Sequence, residues 1–276
     1  RDSVASRGLG DVYKRQVTIC GGLESQANSN NTFQQKVLND CFYLEDNEWK
    51  AGSKLVCPRW FASSIVLNQD LLWVLGGNPD FMSSEQCWST QNSSEILHRS
   101  NGTFVMTANL PAPMINHCVA KVNESHVFIV NGFDENFEGI SRAYLVDIRT
   151  ETFNFTQLPA LSSGRPDAAC GIITVPSTTN NSNNLAIIVA GGGHGETSNT
   201  TELYMLSNFV DHENAWTNGP PLPRGFTNGC QINAGINNLV LISGFDELGK
   251  LRHDLIKYNQ FSGQFETMQS LSLIHI

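Results

Sequence analysis

The chain has 276 residues, of which 40% are hydrophobic and 16% charged, and its formal net charge is −9. An acidic chain without a cluster of Lys and Arg repels a phosphate backbone, which excludes nucleic acid as a partner. No apolar run approaches the roughly 20 residues that a membrane-spanning helix needs. The length suits one large β domain or two smaller ones, and either can bury a sizeable core.

The two ends of the chain are predicted not to be native protein. The segment DVYKRQ near the start and the segment LSLIHI at the end can be encoded by DNA strands that are reverse complements of each other. That DNA resembles a sequencing-library adapter, and such scars are left out of fold reasoning. We therefore assign residues 1–16 and 271–276 to adapter-derived tails. Residues 17–270 are expected to be a native stretch that is truncated at both ends.

Five short apolar runs recur along the chain, and each ends at a glycine. In chain order the runs are VTIC, LLWVL, HVFIV, LAIIV and LVLI, and the closing glycines are Gly22, Gly77, Gly132, Gly192 and Gly244. These glycines are 55, 55, 60 and 52 residues apart. Short β-branched and aliphatic runs between turn formers are typical of buried strands, and a period of this length indicates a repeat architecture.

A second hairpin is predicted after each glycine. Its first strand carries Tyr43, Leu97, Tyr144, Tyr204 or Tyr258, and its second carries Trp49, Phe104, Phe153, Trp216 or Phe265. Each unit thus has about four strands, and a lone four-stranded sheet must stack on neighbours because both its faces and edges are exposed. Radial stacking of twisted sheets gives a β-propeller, in which the large aromatic would fill the wedge between blades. Glycine suits a strand end that needs a positive φ.

This pattern resembles the kelch-repeat propellers. The resemblance rests on the glycine pair, the Tyr after it, the Trp or Phe that follows, and the Pro-Arg that opens the next unit, and it covers nearly all of residues 17–270. It implies an all-β, kelch-type β-propeller of four-stranded antiparallel blades, with boundaries near residues 57, 112, 164 and 222. About five blades are visible, the first of them partial, whereas kelch propellers most often have about six.

Seven cysteines are present. Cys118, Cys170 and Cys230 share a sequence context at the repeat spacing, so we predict that they occupy equivalent strand positions and point away from one another. They would then pack as buried thiols. Cys41 and Cys57 could form a disulfide within one unit, but sequence alone leaves the connectivity open.

Seven Asn-X-Ser/Thr sequons occur, and six of them fall in predicted loops or turns. They are at Asn30, Asn92, Asn101, Asn123, Asn154, Asn180 and Asn199. This placement suits N-linked glycans on a secretory protein. Alternatively, a chain rich in Asn, Ser and Thr produces sequons by chance, and these residues favour turns. The sequence favours an extracellular or cell-surface location, with a cytoplasmic one as the alternative.

Charged residues recur at the end of the propeller where recognition loops are expected. They are Glu24, Asp80, Asp134, Glu135, Glu196, Asp246 and Glu247 after the glycines, Arg59, Arg165 and Arg224 at the starts of units, and His194 in a glycine-rich loop. One interpretation is a ligand face, where the acidic ring binds a basic peptide, an amine or a cation and the arginines bind a carboxylate. The other, which we favour, is structural: the acidic residues cap turns, and the arginines pair with them between blades.

No catalytic residue, metal or cofactor is predicted, because the histidines share no metal-ligand spacing and no nucleophile elbow or phosphate-binding signature is present. The resemblance implies a non-catalytic binding module that presents loops to a protein or glycan partner, which is an argument from fold alone. It also implies two alternatives: a copper-radical oxidase related to galactose oxidase, or an intracellular substrate adaptor truncated at its N-terminus. The ligand, the total blade number and the oligomeric state stay open.

Overall fold

The computed structural model describes residues 18–27, 33–79, 87, 92–150, 152–176, 183–193, 197–206, 215–233 and 235–268. These residues form an all-β fold. No helix among them is long and apolar enough to cross a membrane. The two tails that we assigned to adapter DNA lie outside the described residues, so that assignment stays a prediction.

The chain divides into two compact units, and the first extends to Ile115. Its strands are β1 (Thr18–Cys20), β2 (Leu23–Ala27), β3 (Phe33–Val37), β4 (Cys41–Glu45), β5 (Glu48–Ala51), β6 (Arg59–Trp60), β7 (Ser63–Val66), β8 (Leu71–Leu75), β9 (Asn78–Pro79), β10 (Ser94–His98) and β11 (Thr103–Met106). Blade 1 has three described strands in the order β1-β4-β5, and blade 2 has four in the order β7-β8-β10-β11. Two short pairs, β2–β3 and β6–β9, lie outside these sheets.

The second unit begins at Asn116 and contains three four-stranded sheets. Its strands are β12 (Cys118–Asn123), β13 (His126–Val130), β14 (Ala143–Asp147), β15 (Asn154–Leu158), β16 (Ala169–Pro176), β17 (Asn183–Ala190), β18 (Thr201–Met205), β19 (Thr217–Asn218), β20 (Cys230–Asn233), β21 (Leu239–Ile242), β22 (Leu255–Asn259) and β23 (Gln264–Met268). Consecutive strands pair antiparallel, and they form blade 3 (β12 to β15), blade 4 (β16 to β19) and blade 5 (β20 to β23). The prediction of four-stranded antiparallel blades is confirmed.

The repeat glycines are explained by their backbone conformation. Gly22, Gly77, Gly132, Gly192 and Gly244 all have positive φ, between 78° and 114°. Side chains of L-residues disfavour this region because Cβ clashes with the backbone. A side chain at this position would also lack space, because an ideal Cβ on Gly77 would lie 2.7 Å from the carbonyl oxygen of Trp60.

Strand register corrects the predicted aromatic repeat at three places. In the blade strand that follows the loop after the glycines (β4, β10, β14, β18 or β22), the fourth residue is Leu44, Leu97, Val146, Tyr204 or Tyr258. Tyr43 lies one position earlier and Tyr144 two positions earlier, so neither is equivalent to Tyr204. In blade 3 the aromatic opposite that position is Phe155 and not Phe153, because β14 pairs Val146 with Phe155.

Large aromatics of one blade contact the preceding blade in the second unit. The ring centroids of Tyr204 and Trp216 are 5.4 Å apart, and Nε1 of Trp216 donates to the carbonyl oxygen of Pro159 in blade 3 at 2.8 Å. In blade 5 the hydroxyl of Tyr258 donates to the carbonyl oxygen of Thr174 in blade 4 at 3.2 Å. The aromatics therefore fill the seams between blades 3, 4 and 5, as predicted, and anchor them by hydrogen bonds.

The cysteines form disulfides that the sequence did not predict. The pairs are Cys20–Cys41, Cys57–Cys87 and Cys118–Cys170, and Cys230 is free and exposed. The option of a Cys41–Cys57 bond and the prediction of three buried thiols were both wrong. Disulfides persist in oxidising compartments, so the three bonds indicate an oxidising environment.

The error over Cys118 and Cys170 has a geometric cause. Cys118 is the first residue of its strand and pairs with Val130, whereas Ala169 is the first residue of β16 and Cys170 the second. Neighbouring strand residues point to opposite faces, so an offset of one residue reverses the direction of the side chain. Cys170 therefore meets Cys118 across the seam between blades 3 and 4.

Candidate functional site

The candidate functional region is the end of each blade where the glycines lie. This glycine end consists of the loop after the glycines and the segment that opens the next blade. The amide of Gly22 donates to the carbonyl oxygen of Arg59 at 2.9 Å, and the amide of Gly192 donates to that of Phe226 at 2.7 Å. The opening segments of blades 2 and 5 are thus hydrogen-bonded to the blades before them.

Arg59 is buried in blade 2 and its guanidinium forms an ion pair with Glu95. Only 1% of Arg59 and none of Glu95 is exposed, and Nη2 of Arg59 lies 2.5 Å from Oε1 of Glu95. Nη1 donates to the carbonyl oxygen of Gly76 at 2.7 Å, and Glu95 also accepts the amides of Val56 and Cys57. Desolvation lowers the pKa of Arg59. A charge at such a depth is tolerated only with a partner, so Arg59 is a structural residue.

The same guanidinium contact recurs in blades 4 and 5. Nε of Arg165 donates to Glu202 at 2.7 Å, and Nη2 of Arg224 lies 2.6 Å from Asp254. Each of the three arginines also donates to the carbonyl oxygen of the first residue after the second strand, which is Gly76, Gly191 or Ser243. We expected the arginines to pair with the acidic residues after the glycines; instead each pairs with a carboxylate at or just before the third strand of its own blade.

Blade 3 lacks this ion pair. Met114 stands where blade 2 has Arg59, because its carbonyl oxygen accepts the amide of Gly77 in the same way. Tyr144 occupies the position of Glu95 in the strand register. Asn131 stands where blade 2 has Gly76; it is 1% exposed, and neither polar atom of its side chain has a hydrogen-bond partner within the protein.

Two of the predicted acidic residues cap turns. Oδ1 of Asp134 accepts the amides of Asn136 and Glu138, both at 2.9 Å. Oδ1 of Asp246 accepts the amides of Leu248 and Lys250, both at 3.0 Å. The hydrogen bond from Lys250, followed by that from Leu248, lowers the pKa of Asp246. These contacts support the structural interpretation of Asp134 and Asp246.

The other acidic residues differ in their surroundings. Oε2 of Glu247 accepts the amide of Gly225 at 2.8 Å, and hydrogen bonds from its own and the Gly225 amide lower the pKa of Glu247. Glu135 is exposed, and Glu24 lies opposite Lys36 in the β2–β3 hairpin. Asp80, His194 and Glu196 lie outside the described residues, so an acidic ring with His194 beside it stays a prediction.

Exposed apolar side chains lie on the same loops, and the sequence interpretation overlooked them. The loop after Gly132 carries Phe137, and the loop after Gly244 carries Leu248, of which 87% is exposed, together with Phe245 and Leu251. The sequence signal is the repeated Phe-Asp-Glu, in which the capping Asp fixes a turn and the apolar residues beside it face solvent. In blade 2, Trp60 and Phe61 form another such feature, with ring centroids 4.3 Å apart.

Five of the seven sequons lie within the described residues. Asn101, Asn123 and Asn154 are exposed at the end opposite the glycines, Asn199 is exposed at the glycine end, and Asn92 is partly buried there. Asn30 and Asn180 lie outside the described residues, and attachment of glycans stays a prediction. Among the residues that the structure describes, no group of three or more His, Cys, Asp or Glu could hold a metal ion.

Comparison with known proteins gives a fold and no family. No protein-family model matches the chain, and no curated protein matches it. Among solved structures, the chain is similar to a kelch-repeat propeller protein described as "Structure of YjhT", with a TM-score of 0.67. The match covers 92% of this chain and 81% of that one at 14% sequence identity. With its five described blades, the chain therefore has the fold of a β-propeller that is kelch-like in structure.

Proposed function

We propose that the chain is a non-catalytic binding module of a secreted or cell-surface protein, in which glycine-end loops bind a protein or glycan. The carrying observation is the exposed apolar side chains of Phe137 and Leu248, each in a turn that an aspartate caps. Exposed apolar side chains on loops of a rigid scaffold are common in recognition sites.

The scaffold beneath these loops supports the proposal. In blades 4 and 5 the buried or nearly buried arginine–carboxylate pairs join the second and third strands close to where the loops begin. A backbone held in this way loses little conformational entropy on binding, so more of the contact energy remains as affinity.

The proposed location is supported by covalent chemistry. Three disulfides suit a secretory protein, and four of the described sequon asparagines are exposed. Both observations favour the secretory binding module over the cytoplasmic adaptor.

The experiment screens the full chain, produced in a eukaryotic secretory host, against an array of extracellular proteins and an array of oligosaccharides. We expect the double variant Phe137→Ser/Leu248→Ser to bind the captured ligand at least about tenfold more weakly, because burial of two apolar side chains is lost. The matched control is Phe261→Ala, since Phe261 is 92% exposed at the opposite end of blade 5 and this change creates no sequon. Absence of binding on both arrays, or release of hydrogen peroxide with a galactoside, would contradict the proposal.

A further inference from the structure

Blade 2 presents a flat pair of aromatic rings at its glycine end. Trp60 ends strand β6 and Phe61 follows it; their ring planes are inclined by 27°, and 42% of Phe61 is exposed. Trp60 covers one face of the Phe61 ring, and the residue remains open to solvent. The pair is therefore an apolar surface about one ring wide.

Phe61 is an unusual residue for its backbone position. The equivalent residues, two before the first strand of the other complete blades, are Asn116, Asp167 and Asn228. All four have φ between 51° and 61°. Asn and Asp visit this left-handed region readily, whereas a bulky aromatic there is a strained exception. A strained residue whose side chain is also exposed contributes little to packing, and such conflicts concentrate at functional positions.

A buried hydrogen-bond acceptor lies beside this pair. Asn78 pairs with Trp60 across the β6–β9 ladder, only 5% of it is exposed, and its Oδ1 accepts no hydrogen bond from the residues that the structure describes. Buried polar atoms are generally satisfied, so an unpartnered acceptor beside an exposed ring marks a place where a ligand hydroxyl or amide can donate after a small local opening.

The residue before the ring pair is held by backbone hydrogen bonds and by an ion pair. Arg59, the residue before Trp60, donates its amide to Leu38 and accepts the amide of Gly22, while its guanidinium is neutralised by Glu95. The aromatic pair is thus fixed before any ligand arrives, and the arginine beneath it is not available to an anion.

We propose that Trp60, Phe61 and Asn78 form a subsite for one neutral sugar ring of a glycan, an inference that rests on the proposed binding function. A pyranose has an apolar C–H face that stacks on an aromatic ring and has hydroxyl groups at its rim that donate to an acceptor. The flat ring pair with one acceptor beside it matches this combination. An anionic sugar gains nothing from the site, because Arg59 is already paired.

The test uses an array of neutral oligosaccharides and the full chain from the bacterial periplasm, an oxidising compartment that attaches no N-glycan at the Asn-Ala-Ser that Phe61→Asn creates. The strongest binder is then titrated by calorimetry against the wild type, Phe61→Asn and the control Phe261→Asn. Phe61→Asn installs the residue found at positions 116 and 228, so the chain is expected to stay folded with an unchanged or higher melting temperature. We expect this variant to bind at least about tenfold more weakly and the control to bind like the wild type.

A second readout separates the ring pair from the rest of the chain. Binding should change the tryptophan fluorescence of the wild type, and Trp60→Phe should lose most of that change. Loss of glycan binding in Phe61→Asn, at an unchanged or higher melting temperature, supports the subsite in blade 2.

Two outcomes would overturn the inference. One is equal affinity of Phe61→Asn and wild type for the glycan. The other is a wild type that binds no neutral oligosaccharide but captures an extracellular protein, which leaves the proposed binding function in place. A chain that binds nothing on either array would remove both.

Discussion

Blades 3 and 4 are neighbours in the second unit, but they have different side chains at the positions of the buried arginine–carboxylate pair. Blade 4 buries Arg165 against Glu202, whereas blade 3 has Tyr144 at the carboxylate position and Met114 at that of Arg59. Both charges are therefore absent together. Removing one member of a buried pair leaves an uncompensated charge, whereas replacing both with uncharged groups is often neutral. We infer from this comparison that the two charges act as one structural unit, so that losing both should cost less stability than losing one.

The largest change in stability is expected when one charge of the buried pair is removed from blade 2. Glu95→Gln leaves Arg59 buried without a counter-charge, so we expect the free energy of unfolding to fall by about 3–5 kcal/mol. Arg59→Met/Glu95→Gln removes both charges and keeps an acceptor for the amides of Val56 and Cys57, so it should recover much of that loss. Denaturant unfolding followed by circular dichroism measures both. Additive losses in the double variant would refute the coupling.

In blade 3, by contrast, a single substitution is expected to stabilise the protein. Asn131 holds φ at 61° and buries an amide that has no protein partner, whereas the equivalent residue of blade 4 is Gly191. Asn131→Gly removes the buried polar group and suits the backbone, so we expect stabilisation of about 1 kcal/mol. Thermal unfolding measures it, with the exposed Asn101→Gly in a hairpin turn as the control. A clear fall in the melting temperature would show that Asn131 has an essential partner.

Of the three arginine–carboxylate pairs, the one in blade 5 is the most accessible to solvent. Its contribution to stability should depend on pH, whereas blade 3 has no such pair. Hydrogen bonds from Arg224 lower the pKa of Asp254, so the folded state holds its proton less tightly than the unfolded state does. The stabilisation is present above the unfolded value of about 3.9 and is lost as the pH falls through the lower folded value. Asp254→Asn should therefore lose stability near pH 7 by about 1 kcal/mol and lose less on acidification than the wild type.

Melting temperatures from pH 7 down to pH 3 check this expectation. Asp246 and Glu247 also have lowered pKa values, so part of the acid dependence should remain in the Asp254→Asn variant. Coinciding curves for the variant and the wild type would show that the Arg224–Asp254 pair contributes nothing to stability.

The repeat could be predicted from sequence because its signals are local. A glycine with positive φ after a short apolar run marks the end of a strand, and five such glycines at similar spacing define the blades. The aromatic columns were harder to place because the loop after the glycines varies in length. Counting from Gly132 therefore led to Phe153, whereas pairing across β14 selects Phe155.

The candidate site was less predictable, for a physical reason. The sequence shows that arginines and carboxylates recur, but not which carboxylate an arginine reaches, and Glu95 lies 36 residues beyond Arg59. The exposure of Phe61 and Leu248 depends on turns that only the folded backbone defines. The disulfide partner of Cys118 depends on which face of its strand a cysteine side chain occupies. A shift of one residue in register moves the side chain to the other face.

The bond between Cys118 and Cys170 also bears on how the second unit comes apart. It ties the first strands of two adjacent blades, which are 52 residues apart in the chain. If a protease cuts a loop between these blades, the two fragments stay attached until a reductant reaches the disulfide. If the loop is pulled by an external force, the same bond keeps the two blades joined. Resistance to shear at this seam is thus set by the redox state of the surroundings.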